Sequence, residues 1–288
     1  MDDSVMAPPQ TLDRRLNAFR QDLADSRLKG KIAASAYTDG KPAQVGMSAI
    51  PLLRRADPLS PMDSQLLPGE RVTVFDEGDG WSWVQAETDG YVGYVASEGL
   101  SSTLIDPTHW VSARQTIVLA DAEQICAPLG CLSLGSRVCV AEEGERFHRI
   151  ASGGWIYTGH LRPIGEFETD PVAVADQLLG LPYLWGGLGF GGIDCSGLVQ
   201  LSFAVCGFAC LRDSDQQAAS IGTAQPLEPR DWQRGDLIYV PGHVLIVRNE
   251  TEVIHATGYQ WSVIVEDTET VLQRLHGQDR PIETVRRP

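Results

Sequence analysis

Gly191-Gly192-Ile193-Asp194-Cys195-Ser196-Gly197-Leu198-Val199-Gln200 is a glycine-rich turn that runs into a cysteine, and the cysteine opens an apolar helical pattern. A helix N-terminus carries partial positive charge and unpaired N–H groups, which favour a thiolate over a thiol. Most free cysteines are small buried apolar residues. What surrounds Cys195 argues for a nucleophile instead. Upstream, Asp170 or Thr169 can cap a helix that has Pro171 in its first turn, runs through Leu179 and ends at Gly180. The Cys195 helix is expected to reach about Cys206, with loops from there to Asp231. From Arg234-Gly235-Asp236 onward the pattern turns to strands: Leu237–Val240, His243–Val247, Val253–Ala256 and Ser262–Val265. Two helices ahead of a run of antiparallel strands is an α+β layout.

A thiol nucleophile needs a base to take its proton and a third group to orient that base. His243 and His255 sit on consecutive strand runs joined by the polar turn Arg248-Asn249-Glu250-Thr251. A hairpin turning about Asn249 puts them opposite or nearly opposite on one face, with Cβ atoms about 4.5–5.5 Å apart. A one-residue slip would send them to opposite faces. Each histidine alone reads as a polar group on a strand face. Their coincidence with a helix-opening cysteine favours a catalytic set. His109, His148 and His160 fall in a different region, and His276 in a polar tail.

That other region, from about 40 to 163, contains an internal repeat. One copy holds Leu67–Phe75, Asp79–Val84 and Asp89–Val95; the other holds Leu134–Val140, Gly144–Ile150 and Gly153–Tyr157. Each reads strand, turn, strand, turn, strand, which suggests small β-barrels. Trp81, Trp83, Tyr91 and Tyr94 either line a peptide groove or fill the barrel core. Residues 1–39 read as a lead-in arm with a short amphipathic helical pattern around Leu12–Leu28.

The 288 residues are 43% hydrophobic and 21% charged, with 23 Lys+Arg against 38 Asp+Glu and a formal net charge of -15. Such a surface repels nucleic acid and anionic membranes. No stretch approaches the length of a membrane-spanning helix. The opening Met1–Pro9 has neither a basic start nor an apolar core segment, and the six cysteines form no C-x-x-C pair. A reducing, cytoplasmic location with free thiols is the expectation. Cys206 and Cys210 do not follow Cys195 at the paired spacing of structural zinc sites. No metal or other cofactor is expected.

The barrel copies, with their L-x-x-G-x-x-V-x-V, G-W and G-Y-V pattern, resemble bacterial SH3-like domains. Tyr183-Leu184-Trp185-Gly186-Gly187, Asp194-Cys195-Ser196-Gly197, Arg212-Asp213-Ser214-Asp215-Gln216-Gln217, Arg234-Gly235-Asp236-Leu237, Gly242-His243-Val244 and Ile254-His255-Ala256 resemble the ordered motif set of NlpC-type papain-like cysteine peptidases over about residues 170–270. Together they are similar to the γ-D-glutamyl-L-diamino-acid endopeptidases, or dipeptidyl-peptidase VI, which cut murein peptides that carry a free N-terminal L-Ala. The resemblance implies two SH3-like barrels (40–102 and 103–165) followed by a papain-like catalytic domain (166–288).

It also implies roles. Cys195 is the nucleophile, His243 the base and His255 the orienting residue. Tyr183 lies near the oxyanion, Trp185 walls the cleft, and Asp194 and Ser196 line its D-Glu side. Asp213 meets the substrate amine; its alternative is a pair with Arg212 or a helix cap. A carboxylate and a tyrosine of the first barrel join Asp213, chosen from Glu70 or Asp63 and from Tyr91 or Tyr94, with Tyr91 preferred. Leu188–Gly192 is more glycine-rich and apolar than the polar loop often found there. The implied partner is a murein peptide, with no nucleic acid and no membrane insertion; the oligomeric state is unassigned. The rival readings are an amidase or acyltransferase on the same scaffold, and a non-catalytic binder of wall peptides.

Overall fold

A computed structural model describes residues 12–288. Alternating apolar positions build three sheet-based units, and the glycines between them set the turns. In the first unit, strands between Lys41 and Ser101 form a seven-stranded sheet. Its inward residues, among them Leu52, Val72, Val84 and Val95, are fully buried together. In the second, strands between His109 and Pro163 form a three-stranded and a five-stranded sheet around Val111, Leu132, Ile150 and Ile156. The two meet at Gly69, where an added Cβ would stand 2.3 Å from the Arg137 carbonyl oxygen, so only glycine fits.

The C-terminal unit holds helices α1 (Pro171–Gln177), α2 (Cys195–Ala204), α3 (Ser214–Ser220) and α4 (Thr268–His276). Its six-stranded sheet runs Thr223–Gln225, Thr284–Arg287, Leu237–Val240, His243–Val247, Glu252–Thr257, Ser262–Asp267, every neighbouring pair antiparallel. Asp170 caps α1, accepting the Val172 N–H at 2.9 Å. Helix α2 is buried from Cys195 through Phe203 and packs on the strand His243–Val247. Leu198 and Val199 lie at 0% exposure in that core, where truncating Leu198 to Ala costs about 2–5 kcal/mol.

Several expectations are corrected. Residues 12–28 form no α-helix: Phe19 bridges Ala24, and Leu23–Asp25 pairs in parallel with Ala36–Thr38. The polar groups of that segment are held by tertiary partners rather than along a helix face, as Arg15 and Arg20 show. The first residues of the arm, 1–11, lie outside the described residues. The supposed loop to Asp231 contains α3 and the strand Thr223–Gln225, and the supposed tail contains α4 and the strand Thr284–Arg287, which is internal to the sheet. Alternation there is carried by Val285 among polar neighbours, too few apolar residues to register as a strand.

Candidate active site

Asp194 fixes the start of α2. Its Oδ1 accepts the Gly197 N–H at 2.7 Å and its Oδ2 the Gly186 N–H at 2.8 Å. A side chain at Gly197 would lie 2.4 Å from the Gly187 carbonyl, and one at Gly186, with φ +75°, 2.7 Å from Met62 O. The glycine-rich sequence is therefore what lets two turns close around the cysteine. Arg212, fully buried, spans Asp194 (3.0 and 2.7 Å), Ser196 Oγ (2.9 Å) and, in the first unit, Ser64 Oγ (3.0 Å). Asp194 and Ser196 border the cleft as expected. Their polar atoms also join this network, which holds both residues in place at the cleft wall. Asp213 does not pair with Arg212 among these contacts.

Cys195 is buried at the first position of α2. Burial, with Asp194 next to it, pushes its thiol up to about 12, and the Val244 N–H only partly offsets this. Desolvation therefore works against the thiolate that the helix end favours. His243 is held well below its ordinary 6.5 by burial, then by His255 and Arg280. Both shifts favour a neutral thiol and a neutral imidazole, a pair that works through general-base transfer.

The histidine strands pair with Ile246 opposite Ile254 and Val247 opposite Val253. That register makes His243 and His255 a diagonal pair on one face rather than a directly opposed one. His243 Nε2 meets His255 Nδ1 at 2.7 Å, with ring centroids 5.0 Å apart. His255 Nε2 meets Glu266 Oε2 at 2.9 Å, and Glu266 receives Arg274 at 2.7 and 2.6 Å. Arg274 and His255 hold the Glu266 carboxyl at about 2. This chain sets the tautomers. Glu266 only accepts, so His255 donates from Nε2 and accepts at Nδ1; His243 then donates from Nε2 and keeps Nδ1 bare. A bare Nδ1 is the acceptor that a thiol proton needs. Among the described residues no Cys195–His243 hydrogen bond is formed. Glu266 and Arg274 were not anticipated from the sequence. Period-two alternation carried the signal for Glu266, because Ile264 opposes His255 and Glu266 lies on the same face.

Cys195 opens into a cleft of 760 Å³ walled by the arm, the first unit and the C-terminal unit. Tyr183 and Trp185 line it, the latter 61% exposed. Burial and the neighbouring Cys195 and Asp194 keep the Tyr183 hydroxyl protonated. Tyr91 donates to Asp213 Oδ2 at 2.9 Å. Arg15 of the arm reaches the same oxygen at 2.8 Å while also bridging Asp13 and Asp215. Burial raises Asp213, against the pull of Tyr91 and Arg15. Of the other first-unit candidates, Asp63 and Tyr94 face this cleft, whereas Glu70 faces a second cavity of 330 Å³ between the units. Trp83 and Tyr91 are buried yet border the cleft, so they serve core and groove at once. The described residues contain no cluster suited to a metal, and all six cysteines are free.

Residues 180–280 match the NlpC/P60 family and residues 52–100 the bacterial dipeptidyl-peptidase Sh3 domain. Dipeptidyl-peptidase 6 of Lysinibacillus sphaericus is 34% identical over 32% of this chain and 33% of its own length. Gamma-D-glutamyl-L-lysine dipeptidyl-peptidase of Bacillus subtilis (strain 168) is 44% identical over 24% of this chain and 23% of its own. The chain thus spans a third or less of these curated relatives. The crystal structure of an NlpC/P60 family protein from Bacillus cereus ATCC 10987 shares the fold, with a TM-score of 0.72 at 21% identity over 86% of this chain and 99% of that one. The fold class is α+β, with an Sh3 domain in the first unit and a papain-like NlpC/P60 domain at the C-terminal end.

Proposed function

We propose that this chain, through its NlpC/P60 domain, is a cysteine peptidase that cleaves the bond between γ-D-glutamate and a diamino acid in murein peptides with a free N-terminal L-Ala. The observation that carries the reading is one cleft with two chemically distinct ends. Cys195 lines one, with Gly242 just ahead of the His243–His255–Glu266–Arg274 relay, and Asp213 with Tyr91 lines the other. At the second end Asp13, Asp213 and Asp215 share the single guanidinium of Arg15. Three carboxylates around one cation leave net negative charge there, the complement of an ammonium.

In this mechanism His243 Nδ1 takes the thiol proton as the Cys195 sulfur attacks the γ-carbonyl carbon of D-Glu. The Tyr183 hydroxyl and backbone N–H groups at the start of α2 receive the oxyanion. The C–N bond breaks, and His243 returns its proton to the leaving amine of the diamino acid. Water, deprotonated by His243, then attacks the thioester. L-Ala-D-Glu departs and the thiol regains its proton. His255, fixed by Glu266, keeps the His243 ring in the tautomer that accepts.

The second β-unit reads as another SH3-like barrel that braces the back of the catalytic domain; an added Cβ at its Gly135 would stand 2.9 Å from Leu201 of α2. Six free cysteines suit a reducing compartment, and recycling of wall peptides in the cytoplasm is the role we assign. The test is release of free lysine from L-Ala-γ-D-Glu-L-Lys by the wild type and by Cys195→Ala. Release by the wild type alone is expected; equal release by both would overturn the assignment of Cys195.

A further inference from the structure

Two charges, Glu283 on the cleft wall and Arg280 behind the turn that precedes His243, are not used by the mechanism. His243 hands its proton to the leaving amine, so whatever borders His243 borders the group attached to that amine. Gly242, immediately before His243, lines the cleft, and so does Glu283. Arg280 is half-buried behind the same turn: its Nε donates to Pro241 O at 2.7 Å, and its Nη2 stands 3.8 Å from where a Gly242 side chain would begin. Its charge is close enough to disfavour protonation of His243. Arg280 forms no salt bridge among the described residues, and neither does Glu283, in a site where Arg15, Arg54, Arg212 and Arg274 all do.

The segment holding both residues is fixed at each end. The Arg280 N–H bonds to Leu275 O of α4, and the Glu283 N–H to Tyr239 O of the strand Leu237–Val240. One cation behind the Gly242 turn and one anion on the cleft wall are therefore left unpaired among the described residues, on a segment held at both ends.

We propose that Arg280 and Glu283 form the subsite that reads the diamino acid after the cut, Arg280 taking its carboxylate and Glu283 its side-chain ammonium. The proposal rests on the peptidase reading above and names what that reading leaves open, the way in which the third residue is selected. A planar guanidinium suits a carboxylate, and a carboxylate on the cleft rim suits an ammonium at a distance set by the side chain. The opposite order of charges would repel an amino acid bearing both groups.

The experiment compares kcat/KM for three peptides, L-Ala-γ-D-Glu-L-Lys, its C-terminal lysinamide and its norleucine analogue, in the wild type, Arg280→Gln, Arg280→Lys and Glu283→Gln. Wild type should prefer the lysine peptide over the lysinamide by about tenfold or more, the scale of one charge-assisted contact. Arg280→Gln should bring that ratio towards one, and Arg280→Lys should restore part of it. Glu283→Gln should erase the preference for lysine over norleucine and leave the lysinamide ratio in place. Equal losses on all three peptides in either variant would show a structural effect and overturn the subsite. A wild type that cleaves none of the three would instead overturn the peptidase reading on which the subsite stands.

Discussion

The two ends of the cleft are built by different means. The reacting end is assembled inside one domain: a helix start and two strands bring Cys195, His243 and His255 together, and the next strand and helix add Glu266 and Arg274. The recognition end is assembled from three remote pieces, Arg15 of the arm, Tyr91 of the first unit and Asp213 ahead of α3. On the proposed function, chemistry rests on local geometry and selectivity on how the units dock. The first unit is bolted to the catalytic loop through Gln65, which donates to Phe190 O at 3.0 Å and accepts the Leu188 N–H at 2.8 Å. It also reaches α2 through Asp89, which accepts from Gln200 at 2.8 Å.

The contrast breaks most sharply at the reacting end. His243→Ala should lower kcat by about 10²–10⁴-fold and leave KM for the tripeptide nearly unchanged, read by steady-state kinetics. At the recognition end, Asp213→Asn should lower kcat/KM by about ten- to hundred-fold on free-amine peptides while leaving N-acetylated ones where they were. A loss shared by both substrates would erase the distinction between the ends. Glu266→Gln removes the charge behind His255, and a fall in kcat of about tenfold is expected, the worth of one hydrogen bond to a charged group.

The pH profile sharpens the same point. A neutral His243 is required, and its burial moves protonation well below 6.5. Activity should thus hold as pH falls to 6.5 and drop only further into acid, with no rise between neutral and mildly alkaline pH from thiolate formation. Thiolate absorbance appearing below neutrality would argue for a preformed ion pair instead.

The smallest effect on turnover belongs to Glu70, away from the cleft. Burial raises its carboxyl from 4.5 to about 7. The folded state therefore binds more protons than the unfolded one between those values, and stability falls as pH rises through that window, by about 3 kcal/mol at most. Glu70→Gln should flatten that slope in denaturant titrations and leave kcat alone.

What the sequence revealed follows the same division. Asp194-Cys195 at a helix start and two histidines on neighbouring strands are signals of local spacing, and local spacing survives folding. The register was off by one pair because the turn centres beyond Asn249, yet a two-residue shift keeps the same face. The links of Arg212 to Ser64 and of Arg15 to Asp213 were not legible, because these partners lie far along the chain. The strand Thr284–Arg287 escaped because arginines serve it as tertiary ligands: Arg287 clasps Asp236 at 2.8 and 2.7 Å. The thiolate was expected from the helix end alone, and burial, a property of the assembled core, works against it.

The most direct measurement of the central claim is mass spectrometry of the products from L-Ala-γ-D-Glu-L-Lys and its N-acetylated form. The account predicts L-Ala-D-Glu and free lysine from the first, and far slower cleavage of the second. Equal cleavage of both, or a cut between L-Ala and D-Glu, would contradict it.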